Sequence, residues 1–238
     1  AKTGGLADVA GALPGALAAH KVSVRTLIPG YPSVMAQLRN GEVVAEFEDL
    51  FDGSARLLSA RAAGLDLFVI DAPHLYNREG GLYGGAGGEY TDNWKRFAAL
   101  AFDGAELTRG LVSGYAPDIL QAHDWQSALA PAYVAYGPRT NVRTVMTIHN
   151  LAFQGQYGSD IFWKLRLPPE GFSVSGVESY GGGGPLKAGI RTDDARTTVR
   201  PPYATASRPR EHGRGLDGWP NTRAAHLPRS PNGLARDL

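Results

Sequence analysis

Cysteine is missing from all 238 residues. That excludes a disulfide scaffold and any thiolate metal site, and it fits a reducing compartment. Net charge is nearly missing too, at +1, so no overall field argues for nucleic acid or a membrane surface as partner. No apolar run reaches the length of a membrane span, and the N-terminus lacks the organisation of a signal peptide. The expected compartment is therefore the cytosol. Metal-ligand spacings such as His-Glu-x-x-His are lacking, as is the Gly-x-Ser-x-Gly elbow, so hydrolase and metalloenzyme chemistry are poor readings. What is present, 43% hydrophobic and 20% charged residues, is the composition of a globular chain holding one large domain or two small ones.

Helix and strand signals alternate along most of the length. Leu6, Val9, Leu13 and Leu17 predict a helix over 6–20, with Pro14 as a kink or a new first turn. Val22–Ile28 reads as a strand ended by Pro29-Gly30, and 42–47 and 55–62 alternate like a hairpin. Leu65–Ile70 is an apolar strand, and 92–111 a helix with Asp92 in capping position. Strands over 117–122 and 141–148 flank a helix over 127–136. The fold class is α/β with a largely parallel sheet and flanking helices. From Arg191 onward arginine and proline crowd together, as in Arg208-Pro209-Arg210. The expected organisation is one domain over 1–190 and an irregular tail over 191–238.

In parallel sheets ligands sit beyond the carboxyl ends of the strands. Asp71-Ala72-Pro73-His74, His123-Asp124-Trp125 and His149-Asn150 each follow a strand signal and could share one rim. Asp124 either caps the next helix or serves a site, and His149-Asn150 is either a turn or a ligand contact. At the chain start, Lys2 and the pair Gly4-Gly5 precede a helix. Backbone N–H groups and a lysine there suit a phosphate, although an ordinary loop entering a helix looks the same. The segment from Arg78 to Tyr90 is glycine-rich and carries Tyr83 and Tyr90, with Tyr76 just before it. It is either a disordered surface loop or a set of aromatics for stacking on a sugar ring.

The order of these segments is specific. Lys2-Thr-Gly-Gly-Leu-Ala-Asp-Val, Asp71-Ala-Pro-His, Glu89-Tyr-Thr-Asp-Asn-Trp-Lys-Arg-Phe97, Gln121-Ala-His-Asp-Trp-Gln126, Thr147-Ile-His-Asn-Leu-Ala-Phe-Gln-Gly155 and Leu186-Lys-Ala-Gly189 run in one series. From Lys2 to about Gly189 the chain resembles the bacterial glycogen synthase and plant starch synthase family. Members are retaining glucosyltransferases that extend an α-1,4-glucan from ADP-glucose. The resemblance implies a Rossmann-like, mostly parallel sheet forming the N-terminal, acceptor-side half of the two-domain fold called GT-B. It implies donor contacts from Lys2, Gly4, Gly5, Asp8 and Asn150, catalytic positions at Asp124 and His149, and an acceptor contact at Tyr83. No cofactor or metal is implied. The compartment would be bacterial cytoplasm, or the plastid for a plant protein.

The family pattern is not matched throughout. An opening strand should lead into Lys2, and a C-terminal domain should supply further diphosphate and donor-sugar contacts. The chain is therefore expected to lack the first strand of its sheet and to be inactive, or nearly so, by itself. Pro185 stands where the family has an apolar residue, and Arg196 puts a charge just before a strand, where burial without a partner is costly. Two other functions compete with ADP-glucose transfer. One is a non-catalytic glucan-binding module; the other is a related transferase using UDP-glucose.

Overall fold

A computed structural model describes residues 4–173, 176–179 and 181–198. Lys2, and all of the arginine- and proline-rich stretch beyond Thr198, lie outside the described residues. The chain divides into two compact units, 1–100 with 111–114 and 101–110 with 115–238.

The first unit opens with α1 (Gly4–Ala18), which carries Pro14 inside it. Strand β1 (Thr26–Pro29) begins later than the expected start at Val22, which is exposed. A short α2 (Pro32–Met35) leads to β2 (Glu42–Phe47), β3 (Ala55–Ala62) and β4 (Leu65–Asp71), close to the expected limits. These strands form one sheet in the order β1-β4-β3-β2. Only β1–β4 is parallel; β4–β3 and β3–β2 are antiparallel. This unit therefore departs from the mostly parallel sheet the sequence led us to expect. The short link between β3 and β4 favours a hairpin, since a parallel pair needs a long crossover. Strand β4 is nearly all buried, from Leu67 to Asp71, because it is paired on both edges and covered on both faces. Beyond it come α3 (Pro73–Tyr76) and a two-residue hairpin, β5 (Gly84–Gly85) with β6 (Gly88–Glu89).

Helix α4 (Asn93–Leu107) follows. Asp92 sits just before it as expected, and its carboxylate is paired with Arg78 at 2.5 Å. That ion pair holds the carboxyl below the usual carboxylate range.

The second unit contains the parallel sheet. Strands β7 (Ile119–His123), β8 (Arg143–Ile148) and β11 (Ala195–Thr198) pair in the order β11-β8-β7, both pairs parallel. The expected helix over 127–136 is two, α5 (Asp124–Ser127) and α6 (Leu129–Tyr136). After β8 come α7 (Ser159–Phe162), a 3-10 turn over Pro169–Gly171, the hairpin β9 (Glu178–Ser179) with β10 (Gly182–Gly183), and α8 (Pro185–Thr192). Pro185 occupies the first turn of α8, where its missing N–H breaks no helical hydrogen bond. Gly189 lets α8 lie close on α5: a Cβ there would come within 2.6 Å of the Ala128 carbonyl oxygen.

Arg196, the charge expected to disturb packing, is buried and answered. Its guanidinium reaches both carboxylate oxygens of Asp193, at 2.8 and 3.1 Å, and also donates to the Ile190 carbonyl. Both side chains are 1% exposed. A two-pronged, fully hydrogen-bonded pair is the arrangement that makes a buried charge tolerable.

Candidate functional site

The register of the parallel sheet fixes where the site lies. His123, the last residue of β7, is level with Thr147 of β8, and Thr147 with Thr197 of β11. Their side chains form part of a rail, with Gln121 donating to Thr147 Oγ1 at 2.7 Å and Thr147 meeting Thr197 at 2.9 Å. Two residues beyond Thr147 stands His149. The carboxyl ends of these strands thus bring His123 and His149 to one rim, as expected, whereas the segment 71–74, expected to share it, stands at the end of β4 in the other sheet.

The two imidazoles meet directly. His123 Nδ1 and His149 Nε2 are 3.0 Å apart, with the rings tilted at 41°. Burial depresses both pKa values to about 4, with the neighbouring His149 adding to the effect on His123. Both rings are therefore neutral at pH 7. His123 is pinned through its backbone, its N–H donating to Ser127 Oγ at 2.6 Å while the Ser127 hydroxyl donates to its carbonyl at 2.8 Å.

Asp124 does not cap its helix. Among the described residues no side chain caps α5; instead Asp124 Oδ1 accepts the backbone N–H groups of His149 at 2.7 Å and of Asn150 at 3.2 Å. Reaching across from β7 to the end of β8 requires a turned backbone, and Asp124 has φ +53°. Aspartate tolerates that left-handed conformation better than most residues, yet strain of this sort concentrates at functional positions. Burial raises its carboxyl to about 6, against the lowering effect of the two N–H groups. Above that pH it is an anion braced against the site.

Asn150 accepts the N–H of Ala152 through Oδ1 at 2.9 Å, an Asx turn that starts the loop after β8. The loop ends at Gly155, with φ +66°. A Cβ at Gly155 would fall inside the Trp125 indole. Trp125 is accordingly wedged against the loop and meets Tyr157 edge-on at 6.3 Å. One group of the cluster stays unanswered: His149 Nδ1 is buried without a hydrogen-bond partner among the described residues.

The other expected positions belong to the first unit. Gly4 and Gly5 form the first turn of α1; a Cβ at Gly5 would meet nothing within 4 Å among the described residues, and Asp8 is exposed one turn on. Lys2 lies outside the described residues. His74 lends its ring to packing: Nε2 is 2.9 Å from the Leu50 carbonyl, and a Cβ at Gly53 would strike the imidazole.

Hydrogen bonds tie the glycine-rich segment to α4, and Arg96 is at their centre. Buried at 1% exposure, it donates to the carbonyls of Leu75 (2.8 Å) and Leu82 (2.9 Å) and to Asn93 Oδ1 (2.7 Å). Four aromatic rings surround it: those of Tyr90, Phe97, Tyr31 and Tyr76, at 4.9 to 5.9 Å. Asn93 passes the restraint on by donating to the Tyr83 carbonyl at 2.8 Å. The three tyrosines consequently differ. Tyr76 is buried, its hydroxyl bonded to the Arg96 carbonyl at 2.7 Å, and Tyr90 is tied to Glu79 at 2.7 Å. Tyr83 alone of them keeps an exposed ring, set 5.9 Å from Phe97. The sequence reading missed Arg96, although its place between Asn93, Phe97 and Leu100 on one helical face was a signal that it is covered.

Among the described residues no group of histidines and carboxylates could hold a metal ion, and no helix is long and apolar enough to cross a membrane. A polar cluster at the carboxyl ends of parallel strands, with a strained acid and neutral histidines, marks an α/β enzyme domain. Comparison with known proteins narrows this. The family model described as starch synthase catalytic domain matches residues 1–221. The glycogen synthase of Mesorhizobium japonicum is 52% identical over 234 residues, 98% of this chain and 49% of the relative. That of Rhodopseudomonas palustris strain TIE-1 is 52% identical over 238 residues, covering 100% and 49%. The catalytic domain of starch synthase IV from Arabidopsis thaliana, solved bound to ADP and acarbose, superposes with TM-score 0.84 at 27% identity, covering 98% of this chain and 49% of that one. The chain belongs to the glycogen and starch synthase family of hexosyltransferases, and it spans about half the length of the curated relatives it matches.

Proposed function

We propose that this chain is the N-terminal, acceptor-side domain of an ADP-glucose-dependent α-1,4-glucan synthase of GT-B architecture, acting with retention. The observation that carries the reading is His149: a neutral imidazole, clamped through its backbone by Asp124 and through its ring by His123, with one buried nitrogen left over. Such a group, uncharged and held rigid at the carboxyl end of the parallel sheet, suits a place beside the donor sugar. Asp124, ionised above about pH 6, would favour the positive charge that grows on the sugar ring in the transition state. Asn150 shapes the same loop. The first unit holds the other expected donor contacts, and the leaving diphosphate is anionic. The first turn of α1, with open space at Gly5, lets a phosphate approach backbone N–H groups, and Lys2 would add a full charge. Asp8 lies on that helix as a polar contact for the donor. The exposed ring of Tyr83 would carry the glucan end.

The same tyrosine favours a second reading, a glucan-binding module without a donor. Calorimetry with the 238-residue chain separates the two. A donor site predicts heat on adding ADP-glucose that is lost in Lys2→Ala and in His149→Ala. Binding of maltoheptaose that is lost in Tyr83→Ala, with no heat from ADP-glucose or UDP-glucose, would make it a glucan module instead.

A further inference from the structure

The proton between the two histidines can sit on either ring, and the choice decides what the site offers. If His123 Nδ1 donates, His149 Nε2 accepts and the second proton of the pair sits on His149 Nδ1. That nitrogen is buried without a partner among the described residues, so a donor would be left with nothing to bind. If His149 Nε2 donates instead, His149 Nδ1 carries only a lone pair. His123 then carries its own proton on Nε2, which is not among the buried unpartnered atoms. Buried N–H groups without acceptors are rarer in proteins than acceptors without donors. The network therefore selects the second arrangement.

We propose that His123 is a positioning residue: its Nδ1 accepts the Nε2 proton of His149 and so holds His149 in a single tautomer, with Nδ1 bare. Three contacts make the geometry stiff enough for this. Ser127 fixes the His123 backbone from two sides, the rings sit 3.0 Å apart nitrogen to nitrogen, and Asp124 fixes the His149 backbone. His149 is 8% exposed, so water competes poorly for either nitrogen.

The inference rests on His149 facing the donor sugar, but its test does not. Long-range nitrogen–proton NMR on the labelled chain near pH 7.5, with His149 assigned through His149→Gln, reads the tautomer of each ring without ligand. A single His149 tautomer protonated at Nε2 is expected. His123→Leu should give a mixture of the two forms, and His123→Asn, whose carbonyl oxygen takes the place of Nδ1, should restore the single form. In parallel, His123→Leu should weaken ADP-glucose binding about tenfold, with recovery in His123→Asn. A proton on His149 Nδ1 in the wild-type chain overturns the proposal even if His123→Leu fails to fold. So does a His149 tautomer that His123→Leu leaves unchanged. A chain with the expected tautomers that ignores ADP-glucose overturns the donor-site reading and upholds the histidine arrangement.

Discussion

Arg96 in the first unit and His149 in the second are both polar residues walled off from water, yet they are treated in opposite ways. The guanidinium directs its donors to two carbonyls and an amide oxygen inside a ring of aromatics. The imidazole is clamped just as firmly but keeps one nitrogen without a partner among the described residues. A buried group whose hydrogen bonds are met within the fold rigidifies it; one left short costs stability and is kept where something else supplies the bond. Arg96 is scaffolding for Tyr83, and His149 is an open position.

That contrast can be broken by substitution, and the largest effect belongs to Arg96. Arg96→Met should cost about 3–5 kcal/mol in denaturant unfolding, because the Leu75 and Leu82 carbonyls and Asn93 lose their donor inside the fold. Amides from Leu82 to Glu89 should exchange faster at the same time. A loss under about 1 kcal/mol would mean that Arg96 is ornamental.

Asp103 in α4 is a second open position, with both carboxylate oxygens buried and without partners among the described residues. Burial, helped by the charge of Glu106, pushes its carboxyl up to about 8. The folded chain therefore keeps a proton that the unfolded chain releases near pH 4. Its contribution is intact below that value and is lost as pH rises towards about 8. Asp103→Asn should flatten this fall and gain a few kcal/mol at about pH 8, read as a higher Tm. An unchanged Tm–pH slope would show that burial does not penalise the ionised carboxyl.

The smallest effect on stability is expected at the proposed site. His149→Gln, whose side-chain amide can keep the bond to His123 Nδ1, should change unfolding free energy by less than about 1 kcal/mol, since the Nδ1 it removes has no partner among the described residues. A loss as large as that of Arg96→Met would place His149 with the scaffolding and end the contrast.

Strands with a strong period were legible in the sequence. The apolar run of β4, the alternation in β2 and β3, and the polar ends of β7 and β8 were read with nearly the right limits. The rim holding His123 and His149 followed from one rule about parallel sheets. What the sequence could not show was side-chain reach. Asp124 looks like a helix cap until its left-handed backbone turns it towards β8. Tyr76, Tyr83 and Tyr90 look alike until Arg96 claims two of them as neighbours and leaves the third ring outside. Arg196 reads as a misplaced charge because its answer, Asp193, sits three residues away on a turn that only the tertiary fold closes.

The wedge of Trp125 against Gly155 has a consequence for anyone rebuilding this loop. The indole fills the space that a side chain at 155 would need, and the backbone there is turned to φ +66°. The two positions, thirty residues apart, therefore behave as a single letter. Randomising 155 alone returns glycine, while shrinking the aromatic at 125 opens a slot that a larger residue at 155 can fill only by also untwisting the loop behind His149. Diversity introduced here has to come in matched pairs.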